Sequence, residues 1–269
     1  MQLPRFRGPD DEAVSPLATF VRAPNPGPMT LEGTNSYVLR APGSAGTVVV
    51  DPGPSIASHL DHLASFGPVE LVLLTHHHPD HSEALAEFAA QVGAPVAAVD
   101  PAFCIDRAPL IDGEVIEAAG IEIEVMRTPG HTADSACFVL ADDGDHGSVL
   151  TGDTILGRGT SIIADPDGAL GPYLESLGRL KAFAGSVRGM VAVLPGHGPV
   201  LRDLGSICDD YLVHRADRLE QVRRALAKLG ADASVGEVTD LVYVDTDAAV
   251  RPAAEASVRA QLVYLRGRA

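Results

Sequence analysis

Thr75-His76-His77-His78-Pro79-Asp80-His81 places four of the chain's ten histidines and a carboxylate in seven positions, directly after the apolar run Leu71-Val72-Leu73-Leu74. A short Leu/Val run that gives way to polar residues reads as a strand emptying into a loop. In such a loop, side chains at i and i+2 project the same way, so His76 and His78 can grip one metal ion together while His77 points elsewhere. Asp80 and His81 follow at the expected start of a helix through Ser82, offering a carboxylate oxygen and an imidazole to a second ion beside the first. The stretch therefore supplies two half-sites.

Half-sites need completing, because a catalytic zinc takes three protein ligands and leaves a position for water. Runs at 37–39, 47–50, 71–74, 95–99, 121–126, 136–140, 148–150 and 190–194 predict strands, and 56–66, 82–92 and 173–184 predict helices between them. Candidate ligands lie just past three of these strands: His131 in Thr128-Pro129-Gly130-His131-Thr132, Asp153 in Thr151-Gly152-Asp153, and His197 in Pro195-Gly196-His197-Gly198. Glycine in each turn lets the backbone bend sharply, and such positions meet at one edge of a sheet. A mixed His/carboxylate set suits an open hydrolytic site rather than a closed structural one, which favours thiolates.

In order, Asp51 in Val50-Asp51-Pro52-Gly53, the HxHxDH pattern of His76, His78, Asp80 and His81, then His131, Asp153 and His197 resemble the metallo-β-lactamase fold superfamily over about residues 15 to 200. The resemblance implies an α/β fold, a four-layer αβ/βα sandwich. It implies that His76, His78 and His131 bind one metal, that Asp80, His81 and His197 bind the other, and that Asp153 bridges them. Asp51 is then a buried neighbour of the metals and not a ligand. Gly33-Thr34-Asn35-Ser36-Tyr37, the stretch 152–160, and Pro195-Gly196-His197-Gly198-Pro199-Val200 extend the resemblance to the subfamily with a C-terminal winged-helix-like module, which includes the eukaryotic mitochondrial endoribonuclease.

That module is expected at residues 204–269, after a metallo-β-lactamase-like domain at 1–203. From 205 to 229 apolar residues recur at three- and four-residue steps, predicting one long amphipathic helix. Ser234-Val235-Gly236-Glu237 fits a capping box for a short helix, and Pro252 can open a last one carrying Val258, Leu262 and Leu265. Because the sequence stops near the third helix, where a wing hairpin would follow, a wingless all-helical module is expected, walling the cleft or forming a homodimer contact.

The ion pair would be zinc, although His/Asp sites also take manganese or iron. Two such ions lower the pKa of a shared water toward ~7, and the bridging hydroxide is the expected nucleophile, with Asp80 orienting it or accepting its proton. Asp153 argues against antibiotic hydrolysis, since the β-lactamases of this fold lack the bridging aspartate. His78 separates the chain from the di-iron redox members, which carry an acid there. Three readings follow. One is hydrolysis of single-stranded RNA; another is a glyoxalase-II-like thioesterase or other small-molecule ester or lactone hydrolase, with Tyr211 and Arg215 contributing to a basic pocket. The third is a non-enzymatic regulator sensing metal or nucleic acid.

Composition narrows these. A formal charge of −16 opposes tight non-specific binding to nucleic acid or anionic membrane, and aromatics at 4% with no Trp leave no platform for stacking bases. Half of the 20 basic residues lie from Arg202 onward, where acidic residues nearly balance them. Arg215, Arg218, Arg223 and Arg224 are therefore expected on a solvated helix face. Gly157-Arg158-Gly159-Thr160 reads equally as a plain turn or as a contact for an anionic substrate. Asn35 is expected in a turn, bonded to its own backbone. His59, His62 and His146 are expected at the surface, His77 beside the ligands or facing solvent, and His214 packing rather than ligating. Cys104, Cys137 and Cys208 are expected as reduced thiols. No apolar run approaches the ~18–20 residues of a spanning helix and the N-terminal stretch lacks a signal-peptide core, so a cytoplasmic protein with no membrane partner is expected.

Overall fold

The strands form because their apolar residues alternate between two cores. In the computed structural model, which describes residues 11–244 and 250–267, Val48 and Val50 of β4 (Thr47–Val50) face one core and Val49 the other. Leu71 and Leu73 of β5 (Val69–Leu73) likewise oppose Val72. Side chains two apart share a face of a pleated strand, so a strand buried on both faces reads as one continuous apolar run.

Two sheets result. The first is six-stranded in the order β1 (Asp11–Ala13), β2 (Ala18–Arg22), β3 (Asn35–Leu39), β4, β5 and β6 (Val96–Ala97). It is antiparallel through β4 and parallel from β4 to β6. The second is five-stranded: β11 (Ala192–Pro195), β10 (Ser148–Gly152), β9 (Ala136–Leu140), β8 (Ile121–Arg127) and β7 (Val115–Ala118). There β10 and β11 run parallel and the other neighbours antiparallel, so β8, β10 and β11 share a direction.

Between the sheets lies a core of Phe20, Tyr37, Leu39, Ile123, Val125, Phe138, Leu140, Leu150 and Leu194 with their neighbours. On the outer face of the first sheet, α1 (Ala57–Ala64) and α3 (Leu85–Val92) bury Leu60, Leu63, Leu85 and Phe88. On the outer face of the second, α4 (Leu170–Ser186) and the first half of α5 (Leu204–Leu229) bury Tyr173, Leu177, Leu180, Cys208 and Tyr211. Helix, sheet, sheet, helix is the four-layer α/β sandwich expected.

The second half of α5 leaves that core and packs with α6 (Val235–Val242) and α7 (Arg251–Arg266) around Val222, Val238, Val258 and Leu262. The capping box forms as read: the Ser234 hydroxyl accepts from the Glu237 amide and the Glu237 carboxylate accepts from the Ser234 amide. Among the described residues no strand follows Leu204, and no helix is long and apolar enough to cross a membrane.

Two expectations need correcting. The helix expected over 82–92 is two pieces, α2 (Pro79–Ser82) and α3, because the Ala84 amide turns away to the Gly53 carbonyl. Three strands, β1, β2 and β7, were not anticipated. β7 hides because its hairpin turn to β8 is Ala119-Gly120, both left-handed (φ 50° and 74°), rather than the Asn-Gly that usually marks such turns.

Candidate metal centre

Parallel pairing brings the C-terminal ends of β4 and β5, and of β10 and β11, to one edge of the sandwich, where β8 also ends. The loops leaving these strands carry Asp51, His76 to His81, His131, Asp153 and His197. Two cross-links hold the two sheets' loops together: the Asn35 amide bonds the Gly196 carbonyl at 2.8 Å, and the Ala136 amide bonds the Thr75 carbonyl at 2.9 Å.

His76, His78 and His131 form one cluster and Asp80, His81 and His197 another. His78 Nδ1 lies 3.1 Å from His76 Nε2 and 3.0 Å from His131 Nε2. In the second cluster His197 Nε2 lies 3.2 Å from His81 Nε2 and 3.0 Å from Asp80 Oδ2. Asp153 stands between, with Oδ1 3.5 Å from His81 Nε2 and Oδ2 3.5 Å from His197 Nε2 and 3.8 Å from His131 Nε2. All the residues expected as ligands therefore meet. Ligand atoms on a tetrahedral zinc, with bonds of about 2.0–2.1 Å, stand roughly 3.4 Å apart, which is the spacing of these donors.

The outer ring nitrogens fix the tautomers. Thr75 Oγ1 gives its only proton to Asp51 Oδ2, so at 3.0 Å it accepts from His76 Nδ1. His81 Nδ1 donates to Asp51 Oδ2 at 2.8 Å, His131 Nδ1 to the Ile162 carbonyl at 2.8 Å, and His197 Nδ1 to the Gly33 carbonyl at 3.2 Å. A ring so held, once neutral, turns an Nε2 lone pair inward, the arrangement that orients metal-binding histidines and raises their basicity. Asp51 also accepts the Thr75 amide at 2.7 Å, and these bonds hold it at φ +52°, a left-handed conformation that costs a residue with a Cβ.

Electrostatics supports a cation at the centre. Burial, and then the neighbouring His81, keeps His76 well below its ordinary pKa. Burial and His131 bring His78 down to about 4, so both rings offer free lone pairs at neutral pH. Burial opposes charge on His197 and His81 too, but Asp153 and Asp80 carry His197 up to about 10, and Asp51 and Asp153 raise His81. Burial likewise pushes Asp153 and Asp80 upward, yet the histidines override it and hold both below the usual carboxylate range. Protons sit on the second cluster where a metal would compensate the carboxylates, and metal binding displaces such protons. Asp153 Oδ1 is buried without a hydrogen-bond partner, as a metal-directed carboxylate oxygen would be. Gly196 lets the strands approach: a Cβ there would sit 2.6 Å from Asp153 Oδ1. The residues present fit two divalent ions.

Other residues fall differently from their sequence expectations. His59 is buried, not at the surface, with its Nε2 2.9 Å from Ser36 Oγ, which donates to the Asp51 carbonyl. Asn35 does not bond its own backbone: its amide nitrogen donates to the Pro195 and Gly198 carbonyls, each at 2.9 Å, holding the His197 loop. Arg215 is not solvated; it is 4% exposed, donates to the Ser161 carbonyl and stacks its guanidinium 5.0 Å from the Tyr173 ring. Tyr211 is buried and takes the Leu156 amide at 2.8 Å, so it braces a loop instead of lining an open pocket. Arg223 and Arg224 are exposed beside Glu220, and Arg158 is exposed and paired with Glu32 at 2.7 Å. His77 points out of the cluster to Asp134 at 2.8 Å, His146 is exposed, and His62 and His214 are partly buried. Cys137 and Cys208 are buried and Cys104 partly so, all as free thiols.

Sequence reading missed Thr75, Asp134 and the carbonyls of Gly33 and Ile162. Thr75 and Asp134 flank the ligand motifs and carried a polar signal, whereas a backbone carbonyl carries none.

The family model described as metallo-beta-lactamase superfamily matches residues 29–197. The beta-lactamase-like protein 2 homolog of Caenorhabditis elegans is 30% identical over 267 residues, covering 94% of this chain and 85% of its own. An atrochrysone carboxyl ACP thioesterase from Aspergillus chevalieri is 30% identical over 228 residues, covering 81% of this chain and 68% of its own. Among solved structures, a metallo-beta-lactamase family protein from Thermus thermophilus superposes with a TM-score of 0.77 at 25% identity, over 95% of each chain.

Proposed function

The chain belongs to the metallo-beta-lactamase superfamily, and on that premise we propose that it is a two-metal hydrolase of thioesters or related small acyl esters. The observation that carries the hydrolase reading is the convergence of His76, His78 and His131 with Asp80, His81 and His197 around Asp153. His76, His78 and His131 would hold one ion, Asp80, His81 and His197 the other, and Asp153 both; zinc suits this donor set, and manganese or iron(II) can occupy it. Such a pair supplies a water acidified from 15.7 toward ~7 and an electrophile for the oxygen that gains negative charge.

The protein's own part is orientation and proton handling. Asp80 is the most exposed of the clustered acids, at 27% of its side chain against 12% for Asp153, so it borders the open side of the centre. Held ionised, it can accept a hydrogen bond from an attacking water and take its proton. Thr34 Oγ1, 3.5 Å from Asp80 Oδ2, limits how that carboxylate can swing. Asp51 and Thr75 keep His81 and His76 from rotating as charge develops.

A thioester is preferred to single-stranded RNA on three grounds. A relative covering most of this chain is named as a thioesterase. The charge of −16 opposes polyanions, and Arg223 and Arg224 stand beside Glu220 rather than forming a free basic strip. The test is turnover by zinc-loaded protein of an S-acyl-glutathione, a lactone, a phosphodiester and single-stranded RNA. Hydrolysis of the thioester that disappears in Asp80→Ala is expected. RNA cleavage lost in the same variant, with the thioester left intact, would reverse the substrate assignment, and binding without turnover of any of the four would favour a regulator.

A further inference from the structure

A cleft of about 270 Å³ opens between the loop 160–162, α5 and the first turn of α7. That loop also serves the metal centre: the Ile162 carbonyl accepts from His131 Nδ1, and Ser161 Oγ donates to the Asp153 carbonyl. Whatever occupies the cleft therefore sits against the backbone that braces two of the proposed ligands.

Among the described residues the cleft is lined by cations and by no carboxylate. Arg215 and Arg218 both line it, and among the described residues neither has a carboxylate within ion-pair distance. Arg215 is 4% exposed, its Nη2 is spent on the Ser161 carbonyl, and its Nε is buried with no hydrogen-bond partner. A buried guanidinium left so is costly unless an anion meets it. Arg218 lies over the Tyr243 ring at 4.7 Å and donates from Nη1 to Gln221 Oε1 at 2.8 Å, which together hold its guanidinium in the lining. His214 Nδ1, also in the lining, is buried and unpartnered.

An independent feature points the same way. The 16-residue helix α7 begins against the cleft: its N-cap, Val250, has no capping side chain, and its first turn holds no acidic residue. The aligned peptide dipoles of such a helix place partial positive charge at its start, which favours an anion there. Tyr243, Val250 and Ala254 complete the described lining, and a space of this size suits one anionic group.

We propose that this cleft is an anion subsite that receives a phosphate or carboxylate carried by the substrate and selects acyl donors bearing one. Its substrate arm rests on the thioester reading, whereas its anion-binding arm does not. Arg218 is the residue to test, because Arg215 is part of the packing around Tyr173 and its loss would disturb the fold.

Inorganic phosphate is titrated calorimetrically into zinc-loaded wild-type protein and into Arg218→Ala and Arg218→Lys. Turnover is measured with acetyl-coenzyme A, S-acetyl-glutathione and uncharged S-acetyl-N-acetylcysteamine. Phosphate affinity is expected to fall about tenfold or more in Arg218→Ala, the usual effect of removing a charged hydrogen bond, with partial recovery in Arg218→Lys. Phosphate held only by the metals would bind all three proteins alike, and that result overturns the proposal. For the donor that uses the cleft, KM should rise by a similar factor in Arg218→Ala, with kcat within about twofold and the uncharged donor unaffected. A rise with coenzyme A alone assigns the phosphate, and a rise with glutathione alone assigns the carboxylate. Equal changes for charged and uncharged donors overturn the substrate arm. If no donor turns over yet phosphate affinity still falls, the anion subsite stands and the thioester reading fails.

Discussion

Asp51 binds no metal in this account, yet it governs the second cluster. Its carboxylate holds His81 Nδ1 at 2.8 Å and takes both the amide and the hydroxyl of Thr75, while its backbone stays left-handed. Asp51→Ala should lower zinc affinity by about 10- to 100-fold, with the circular dichroism of the fold retained, as read by competition with a chromophoric chelator; unchanged affinity would show that Asp51 only packs. The thiols give a second check. Burial pushes Cys137 up to about 11 and Cys208 up to about 12 from the ordinary 9.0. In native protein at pH 8 a thiol reagent should therefore modify Cys104 alone, and all of them after denaturation. Native protein also retains thiol protons that the unfolded chain sheds above pH 9, so stability should fall as pH rises from 9 toward 11. Rapid labelling of every cysteine in native protein would contradict this. At this scale the metal donors were legible because their chemistry lies in side chains at fixed spacing. The partners that fix the tautomers of His131 and His197 were not, since Ile162 and Gly33 contribute only backbone carbonyls.

Elements were legible where burial dictated their pattern. β9 is buried on both faces, with Phe138 turned to the inter-sheet core and Cys137 and Val139 to the outer one. Phe138→Ala should cost about 3–5 kcal/mol in urea unfolding, whereas Met190→Ala, at a side chain 60% exposed, should stay within ~0.5 kcal/mol. Similar losses at the two positions would mean that the inter-sheet core is not where the packing puts it. β1 escaped notice because Asp-Glu-Ala at a sheet edge carries no apolar alternation. On α5, residue type alone points Arg215 to a solvated face or a basic pocket. Its spacing placed it among Cys208, Tyr211, Leu219 and Val222 at three- and four-residue steps, a face that proves buried. Position on the helix outweighed polarity there, and the Tyr173 ring and Ser161 carbonyl offset part of the cost of burying the charge.

The described chain is built on two sheets whose parallel strand pairs end at one rim, which explains how donors spread from His76 to His197 in sequence each come within about 4 Å of a neighbouring donor in space. Motif order made this rim legible, because each donor follows a strand. The placement of α5 to α7 beside it was not, since helix periodicity says which face is buried but not against what. The central claim is that the clustered donors hold a pair of ions, and zinc stoichiometry tests it most directly. Metal-free protein dialysed against a slight excess of zinc and counted by mass spectrometry should retain two ions per chain, and His197→Ala should retain one. A single ion in wild-type protein, or a pair undiminished in His197→Ala, would contradict the account.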